Sequence, residues 1–549
     1  MVVETDRLFL RSAADGICRF RRQAAAAAVA AIGLVTSPGV EAQTTLTVNG
    51  ASGSNTISAA QSTTGGLVIN QIFGVDYLIV GGGGGSGYTS GNGSGGGGAG
   101  GLLHNTGVGA VPLAFSSNSY TVTVGAGGAG GNNSFPNTGS NGANSVLSGS
   151  GISTLTAIGG GGGGGAFGVR DGSSGGSGGG GGGGSGAGGA GTVGQGNAGG
   201  VNYGRGGGAG QTGTAGGQGL QIDITGTPTY YAGGGQSAFN SSSVLGGGGG
   251  GSGTVGTAPQ AGSANTGGGG GASWSNGGLS GARGGSGIAV LRYGGPVLPG
   301  LSTSVTSGSG SVTTSSYTDG NGVAQQVYSF TVGSSTTSGG FAFDMSGVSP
   351  ATLDQRLGTI LSNTITGDGG LTFNGPGRLT LSAVNTYSGT TSVAAGGLLL
   401  SGSVAGDVSI AAGARLGGSG GLGGSLALSP GSFLVFNPLS SGLQLGSGNN
   451  VTIDSTFSVD SLLNVDGTII DWGAVADGTY ILLANTTTNF SGVTNFGPGN
   501  AKDLGAGRSA YFQNGSLQLV VVPEPGAIAL AGIGIVAAWA LRRRCHPAP

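Results

Sequence analysis

His104 is the one histidine outside the last few residues of this 549-residue chain, and between Glu41 and Glu524 there is neither glutamate nor cysteine. A Ser-His-Asp relay would have to run through His104, because its general base is an imidazole oriented by a carboxylate. The neighbours Leu103, Asn105 and Thr106 supply no supporting motif. Cys/His spacings of the zinc-binding kind are absent as well. Carboxylate chemistry is what remains. Asp454, Asp460, Asp466, Asp471 and Asp477 follow one another at intervals of five or six residues, and paired carboxylates can hydrolyse polysaccharides or, at turns, hold calcium weakly. Asp466-Gly467 and Asp477-Gly478 are tight-turn dipeptides between strand-like segments, so the series reads as turn residues. The expectation is a non-enzyme with no catalytic residue, metal or cofactor.

Phosphate and nucleic-acid chemistry fare no better. Residues 75–80, Val-Asp-Tyr-Leu-Ile-Val, form a buried-strand pattern that enters the glycines Gly81 to Gly85. A phosphate cradle needs a helix N-terminus after such a turn, and here more glycine follows. The only lysine, Lys502, precedes Asp503, so no Gly-Lys-Ser/Thr occurs. From Gln43 to Val522 there are eight arginines and that lysine against fourteen aspartates, without the basic patch that counterion release requires. Arg-Gly-Gly occurs only at Arg205 and Arg283.

The two ends carry addresses. Residues 1–42 have the layout of a secretory signal peptide: Arg19, Arg21 and Arg22, an apolar run from Ala24 to Val35, a turn at Ser37-Pro38-Gly39, and small residues at Val40 and Ala42. Cleavage between Ala42 and Gln43 is expected. At the other end Pro523-Glu524-Pro525 precedes sixteen uncharged, mostly apolar residues, 526–541, and then Arg542-Arg543-Arg544. As a helix those residues span ~24 Å, a short transmembrane segment, oriented by the arginines on the cytoplasmic side. This order resembles the PEP-CTERM sorting signal of bacterial envelope proteins. The resemblance implies a partner, an exosortase-type membrane protease that cuts near Pro523, Glu524 and Pro525, and a chain held in the inner membrane by 526–541 before processing.

With Cys18 and Cys545 both in these ends, the processed chain has no disulfide. Stability must then come from backbone hydrogen bonds and stacked strands. Glycine supplies 137 residues, and charged residues are 7% against about 25% in ordinary domains. The glycines gather into recurring runs between Gly81 and Gly271, separated by segments such as Tyr120-Thr-Val-Thr-Val124 and closed by strand patterns at 75–80 and 288–293. Polyglycine can form an extended helix of three residues per turn and ~3.1 Å rise. Helices without side chains can pack on every side, provided that their amides and carbonyls pair between helices. The alternative is a low-complexity flexible tract. The residues 75–85, 122–131, 230–235 and 284–293 resemble a glycine-rich domain of bacterial surface proteins and phage tail adhesins. That resemblance implies layered glycine helices with loops presented for recognition.

Downstream, 377–400 alternates apolar and polar residues between Gly, Asn and Ser turns, the pattern of short strands stacked in a solenoid. It resembles the autotransporter-associated β-strand repeat of passenger regions, continued over 404–436. Autotransporters end in an outer-membrane barrel, whereas here the sorting-signal resemblance occupies that place. The segments 479–483, 509–512 and 517–522 read as a β cap.

The fold class expected is therefore mainly β plus glycine-rich: a polyglycine II-type bundle, then a short parallel β-solenoid and a single C-terminal transmembrane helix. The boundaries are a signal peptide 1–42, a Thr/Ser-rich segment 43–73, a glycine-rich domain 74–294, and a Ser/Thr/Gly linker with short strands 295–363. A solenoid with its cap follows at 364–522 and the sorting signal at 523–549. The function expected is structural or adhesive, at the cell surface or in an exopolysaccharide matrix. The alternative is a module binding glycan or another cell, and a third reading is ice binding on Thr-x-Thr faces such as Thr121/Thr123.

Overall fold

A computed structural model describes residues 43–523, apart from 50–54, 58–59, 107–111, 117, 211, 213–216, 238–248, 321, 466 and 515. The signal peptide to Ala42, the tail from Glu524 onward with its apolar segment 526–541, and Asp466 lie outside the described residues. Among the described residues the secondary structure is almost entirely β, with a single α-helix, Pro350–Leu357. No helix among them is long and apolar enough to cross a membrane. The chain divides into two compact units, one formed by 73–349 and the other by 43–72 together with 350–523.

In the first unit the glycine runs are helices with a period of three. Gly81, Gly84 and Gly87 donate their N–H groups to the carbonyls of Gly101, Gly98 and Gly95; Gly82, Gly85 and Tyr88 donate to Ala143, Ser140 and Asn137; Gly83, Ser86 and Thr89 donate to Gly285, Ala282 and Leu279. Every third residue thus returns to the same neighbour, as a threefold helix requires. The carbonyls on this central helix accept in the same rhythm, from Gly128 and Gly131, from Gly160, Gly163 and Ala166, and from Gly270. Six neighbouring segments surround it. A Cβ on Gly82, Gly84 or Gly85 would lie within van der Waals distance of the backbone of Ala126, Gly161 or Ala129. Glycine is required there by packing, and the backbone bonds offset its large ordering entropy.

Two antiparallel sheets carry these helices. One pairs 76–80 of the strand Leu67–Val80 with 288–292 of Ile288–Gly294, which in turn pairs with Ala324–Val332 and that with Gly310–Thr318. The other runs Ser302–Ser307, Gly339–Asp344, Ser119–Val124, Ser145–Gly149, Leu155–Ala157. Alternation sends Tyr328, Phe330, Phe341 and Phe343 to a shared core, where Tyr328 and Phe343 meet edge to face at 5.2 Å. Residues 295–349, within the stretch read from the sequence as a linker with short strands, thus supply four strands to this unit. Gly310–Thr318 and Ala324–Val332 form a local hairpin, whereas Gly339–Asp344 also pairs with Ser119–Val124, a partner far away in sequence that no local pattern discloses.

The second unit is a parallel β-solenoid. Leu67, Leu371, Thr391, Val408, Leu426 and Val451 stand in one column of paired residues. Leu379, Leu398, Leu416, Leu434 and Leu462 form another. Stacking buries Phe373, Val393, Ile410 and Leu428 between the columns while Ser392 and Ser409 point outward. Thr44–Asn49 pairs in parallel with 67–72, and Asn55–Ile57 with Thr359–Leu361. The first coil therefore comes from before the glycine-rich unit, which is an insertion in the solenoid sequence. The strand Gly478–Ala484 then turns the sheet antiparallel, and Leu517–Pro523, Arg508–Gln513 and Lys502–Gly505 complete the cap.

Candidate recognition surface

His104 closes the short strand Leu102–His104 opposite Leu78, and its Nδ1 lies 3.0 Å from the Thr106 hydroxyl. Burial lowers the pKa of its imidazole. The hydroxyl beside it belongs to its own loop, and among the described residues no carboxylate is paired with the ring in the manner of a relay. The described aspartates of the 454–477 series, Asp454, Asp460, Asp471 and Asp477, go to separate partners. Asp454 accepts from Thr456, whose side-chain and then backbone hydrogen bonds lower its pKa, and Asp471 caps a short turn through the N–H of Gly473. Asp460 pairs with Lys502 at 2.5 Å and Asp477 with Arg508 at 2.8 Å. Among the described residues no cluster of three or more His, Cys, Asp or Glu could hold a metal.

The buried ion pairs were invisible in the sequence. Asp354, on the helix Pro350–Leu357, is 1% exposed and receives Arg415, with Arg378 3.3 Å away. In the other unit Arg292 donates to Asp76 across the strand pair and to the hydroxyl of Tyr317. The first ties the helix to two solenoid strands, and the second ties neighbouring strands together. Thr121 and Thr123 form no repeated rank: they pair with Ala342 and Gly340 on one side, and with Ser148 and Val146 on the other.

The loops that join the glycine helices gather at the end away from the two sheets. The helix that starts at Gly81 leaves the strand Leu67–Val80, and its partner re-enters pairing with that strand at Leu102. The turn between them, near 89–94, is therefore distal. The same up-and-down order makes the turns at 132–138, 166–171, 183–186, 201–204 and 273–279 distal too. Their contacts confirm the grouping: Tyr88 meets Phe167 edge to face at 6.0 Å, Gly183 bonds Gly93, Gly91 bonds Ser275, and the Tyr203 hydroxyl lies 3.4 Å from Asn92 Oδ1.

This loop end exposes apolar surface. Phe135 is 79% exposed, Val201 58%, Val169 40% and Phe167 38%. Asn132, Asn133 and Asn202 stand among them, and Arg170 and Asp171 are the charged residues of these turns. Phe167 begins a turn that Arg170 closes by donating to Ser185 at 3.0 Å. Asn137 and Asn202, at φ 67° and 52°, adopt the left-handed region that short polar side chains tolerate. Exposed rings among amides on a rigid scaffold are the composition of a binding surface. Tyr88, Phe167 and Tyr203 stand as isolated aromatics between glycine runs in the sequence; which turns share one end follows only from the order of the helices.

At the C-terminal end, Pro523 finishes the strand Leu517–Pro523 opposite Arg508. Gln43 is the first described residue, while Ala42, Glu524, Pro525 and Arg542 to Arg544 lie outside the described residues. A family model described as a glycine-rich domain matches residues 68–294. A second, described as a passenger-associated-transport-repeat, matches 371–400, and a third, described as a PEP-CTERM protein-sorting motif, matches 521–544. No curated protein and no solved structure matches the chain. The sorting motif is of the kind recognised by exosortase and implies export to the cell envelope.

Proposed function

We propose that this chain is a non-enzymatic structural or adhesive protein of the cell surface or exopolysaccharide matrix. The observation that carries the reading is the loop end of the glycine bundle. There Phe135, Phe167, Val169 and Val201 face solvent on a scaffold whose helices have no room for side chains. A rigid stem with an apolar, nearly uncharged tip suits contact with a neutral surface. The sorting motif and the passenger-type repeat support delivery to the outside. In this reading the signal is removed between Ala42 and Gln43. Residues 526–541 hold the chain in the inner membrane until an exosortase-type protease cuts near Pro523-Glu524-Pro525.

A second reading, a module that binds surface glycans or exopolysaccharide, is favoured by the same rings and amides, since sugar faces stack on aromatic rings and sugar hydroxyls pair with amides. Two measurements test these readings. The intact chain and one ending at Val522 are compared across membrane, surface and medium; identical distributions refute the sorting route. Retention on neutral polysaccharide separates the second reading from a purely structural role. Hydrolysis of that polysaccharide, lost on one Asp→Asn change, would overturn the non-enzymatic reading.

A further inference from the structure

The strand Gly310–Thr318 lies at the end of its sheet, pairing with Ala324–Val332 on one side and with no strand on the other among the described residues. It is nine residues long, Gly-Ser-Val-Thr-Thr-Ser-Ser-Tyr-Thr, with no charge and no proline. Its nine pairs to the neighbouring strand run without a register shift. Residues 313–316 are all exposed. A long, flat, neutral edge presents a row of unpaired amides and carbonyls to any incoming strand, and folded proteins ordinarily blunt such edges.

Several other terminal strands among the described residues are blunted. The outermost cap strand, Lys502–Gly505, is four residues long, carries Lys502 and Asp503, and has a register shift between Asp503 and Gly505. Ser302–Ser307 has a shift between Val305 and Ser307, and Leu155–Ala157 is three residues long. The edge Thr44–Asn49 is neutral as well, but it is shorter and abuts residues outside the described set. Gly310–Thr318 is thus the long edge left open.

We propose that this edge is a self-association site, at which two copies of the chain pair their Gly310–Thr318 strands antiparallel about a twofold axis near Thr314. The identical segment suits the gap. Pairing about Thr314 sets Thr313 against Ser315 and Val312 against Ser316, and such hydroxyl-bearing cross-strand pairs are favourable. The absence of charge removes repulsion between copies, and a twofold contact closes on itself as a dimer. Because one strand edge buries less than a standard interface, association is weak and concentration-dependent. The inference does not depend on what the loop end binds.

Facing residues of an antiparallel pair have Cα atoms ~4.5–5.5 Å apart, within disulfide reach. The test uses the full-length chain with Cys18→Ser and Cys545→Ser. Under mild oxidation Thr314→Cys should form a covalent dimer at least tenfold faster than Val384→Cys, a control that is 66% exposed in the solenoid unit. Adding Thr313→Lys and Ser315→Lys should bring that rate down to the control's, with the thermal midpoint unchanged. Equal rates for the two cysteine positions would overturn the proposal. So would a lysine variant that cross-links as fast as Thr314→Cys alone, or a wild-type chain that sediments as a monomer at every concentration.

Discussion

The N–H of Gly84 donates to the carbonyl of Gly98 at 2.8 Å, across two glycine helices that run in opposite directions. Gly84 also accepts from Gly270, and a Cβ placed on it would collide with the backbone of Gly161. Two neighbours therefore hold Gly84 by its N–H and carbonyl while a third, the backbone at 160–161, fills the space that a side chain would need and cannot rotate away.

The first prediction follows from that crowding. Gly84→Ala should destabilise the glycine-rich unit by about 1–3 kcal/mol or more, the cost of overpacking a filled interior. Gly333→Ala, where nothing lies within 4 Å of the added Cβ, should change stability by no more than about 0.5 kcal/mol. In a flexible linker the same change at Gly84 would be neutral or slightly stabilising, through the unfolded chain alone. Denaturant midpoints of the two variants decide between them, and fast hydrogen exchange throughout Gly81–Gly271 would refute the bundle.

What the sequence discloses and what it withholds divide along the range of the pairing. The strand-to-glycine junction at Val80-Gly81 and the alternation of 377–400 are local patterns, and both appear where expected. The bond from Gly84 to Gly98 belongs to a neighbour relation among featureless runs, so composition suggests a bundle without assigning partners. The place of Thr44–Asn49 in the solenoid is hidden for the same reason: the strand it pairs with, 67–72, meets its next neighbour, Leu371–Asn374, only across the insertion. The loop end is harder still: Phe135 and Val201 are far apart in sequence and share a surface only because each helix between them reverses direction.

A second prediction concerns charge in the solenoid unit. Asp354 is held between Arg415 and Arg378, and both Asp354 and Arg415 are buried. Asp354→Asn keeps the shape but leaves the Arg415 guanidinium without its counter-ion. The expected loss is about 3–5 kcal/mol, the range for breaking a buried pair from one side. Replacing both partners, with Asp354→Asn and Arg415→Met, should recover part of it. Chemical unfolding of the single and double variants measures the difference, and a double variant no better than the single would contradict it.

A third prediction is a pH dependence. The hydroxyls of Tyr387 and Thr391 are 2.5 Å apart inside the solenoid, and burial pushes the Tyr387 pKa up to about 12, against a weaker downward pull from Thr391. Unfolded, this phenol ionises near pH 10. Its folded pKa is raised, so its contribution is fully present below pH 10 and is lost as the pH rises toward 12, where the unfolded state binds fewer protons than the native one. Two units correspond to roughly 2–3 kcal/mol at most. Tyr387→Phe should flatten that part of the alkaline stability curve while costing about 1 kcal/mol at neutral pH from the lost hydrogen bond. An alkaline slope unchanged by the substitution would show that other groups carry it.

The last prediction separates binding from folding at the loop end. Phe135 is 79% exposed, so Phe135→Ala removes little buried area and should leave the thermal midpoint within the scatter of surface substitutions. Phe167 differs, because its ring rests on Tyr88 and its removal forfeits an edge-to-face contact of about 0.5–1.5 kcal/mol. If the loop end is the contact surface, Phe135→Ala should weaken retention on neutral polysaccharide or on cells several-fold, with stability intact. Phe167→Ala should lower both. Arg170→Ala should act mainly through the Ser185 contact it loses and show little salt dependence, since a neutral ligand offers no charge to screen. Retention that survives Phe135→Ala but falls steeply with salt would instead place recognition on charged groups, away from the exposed rings.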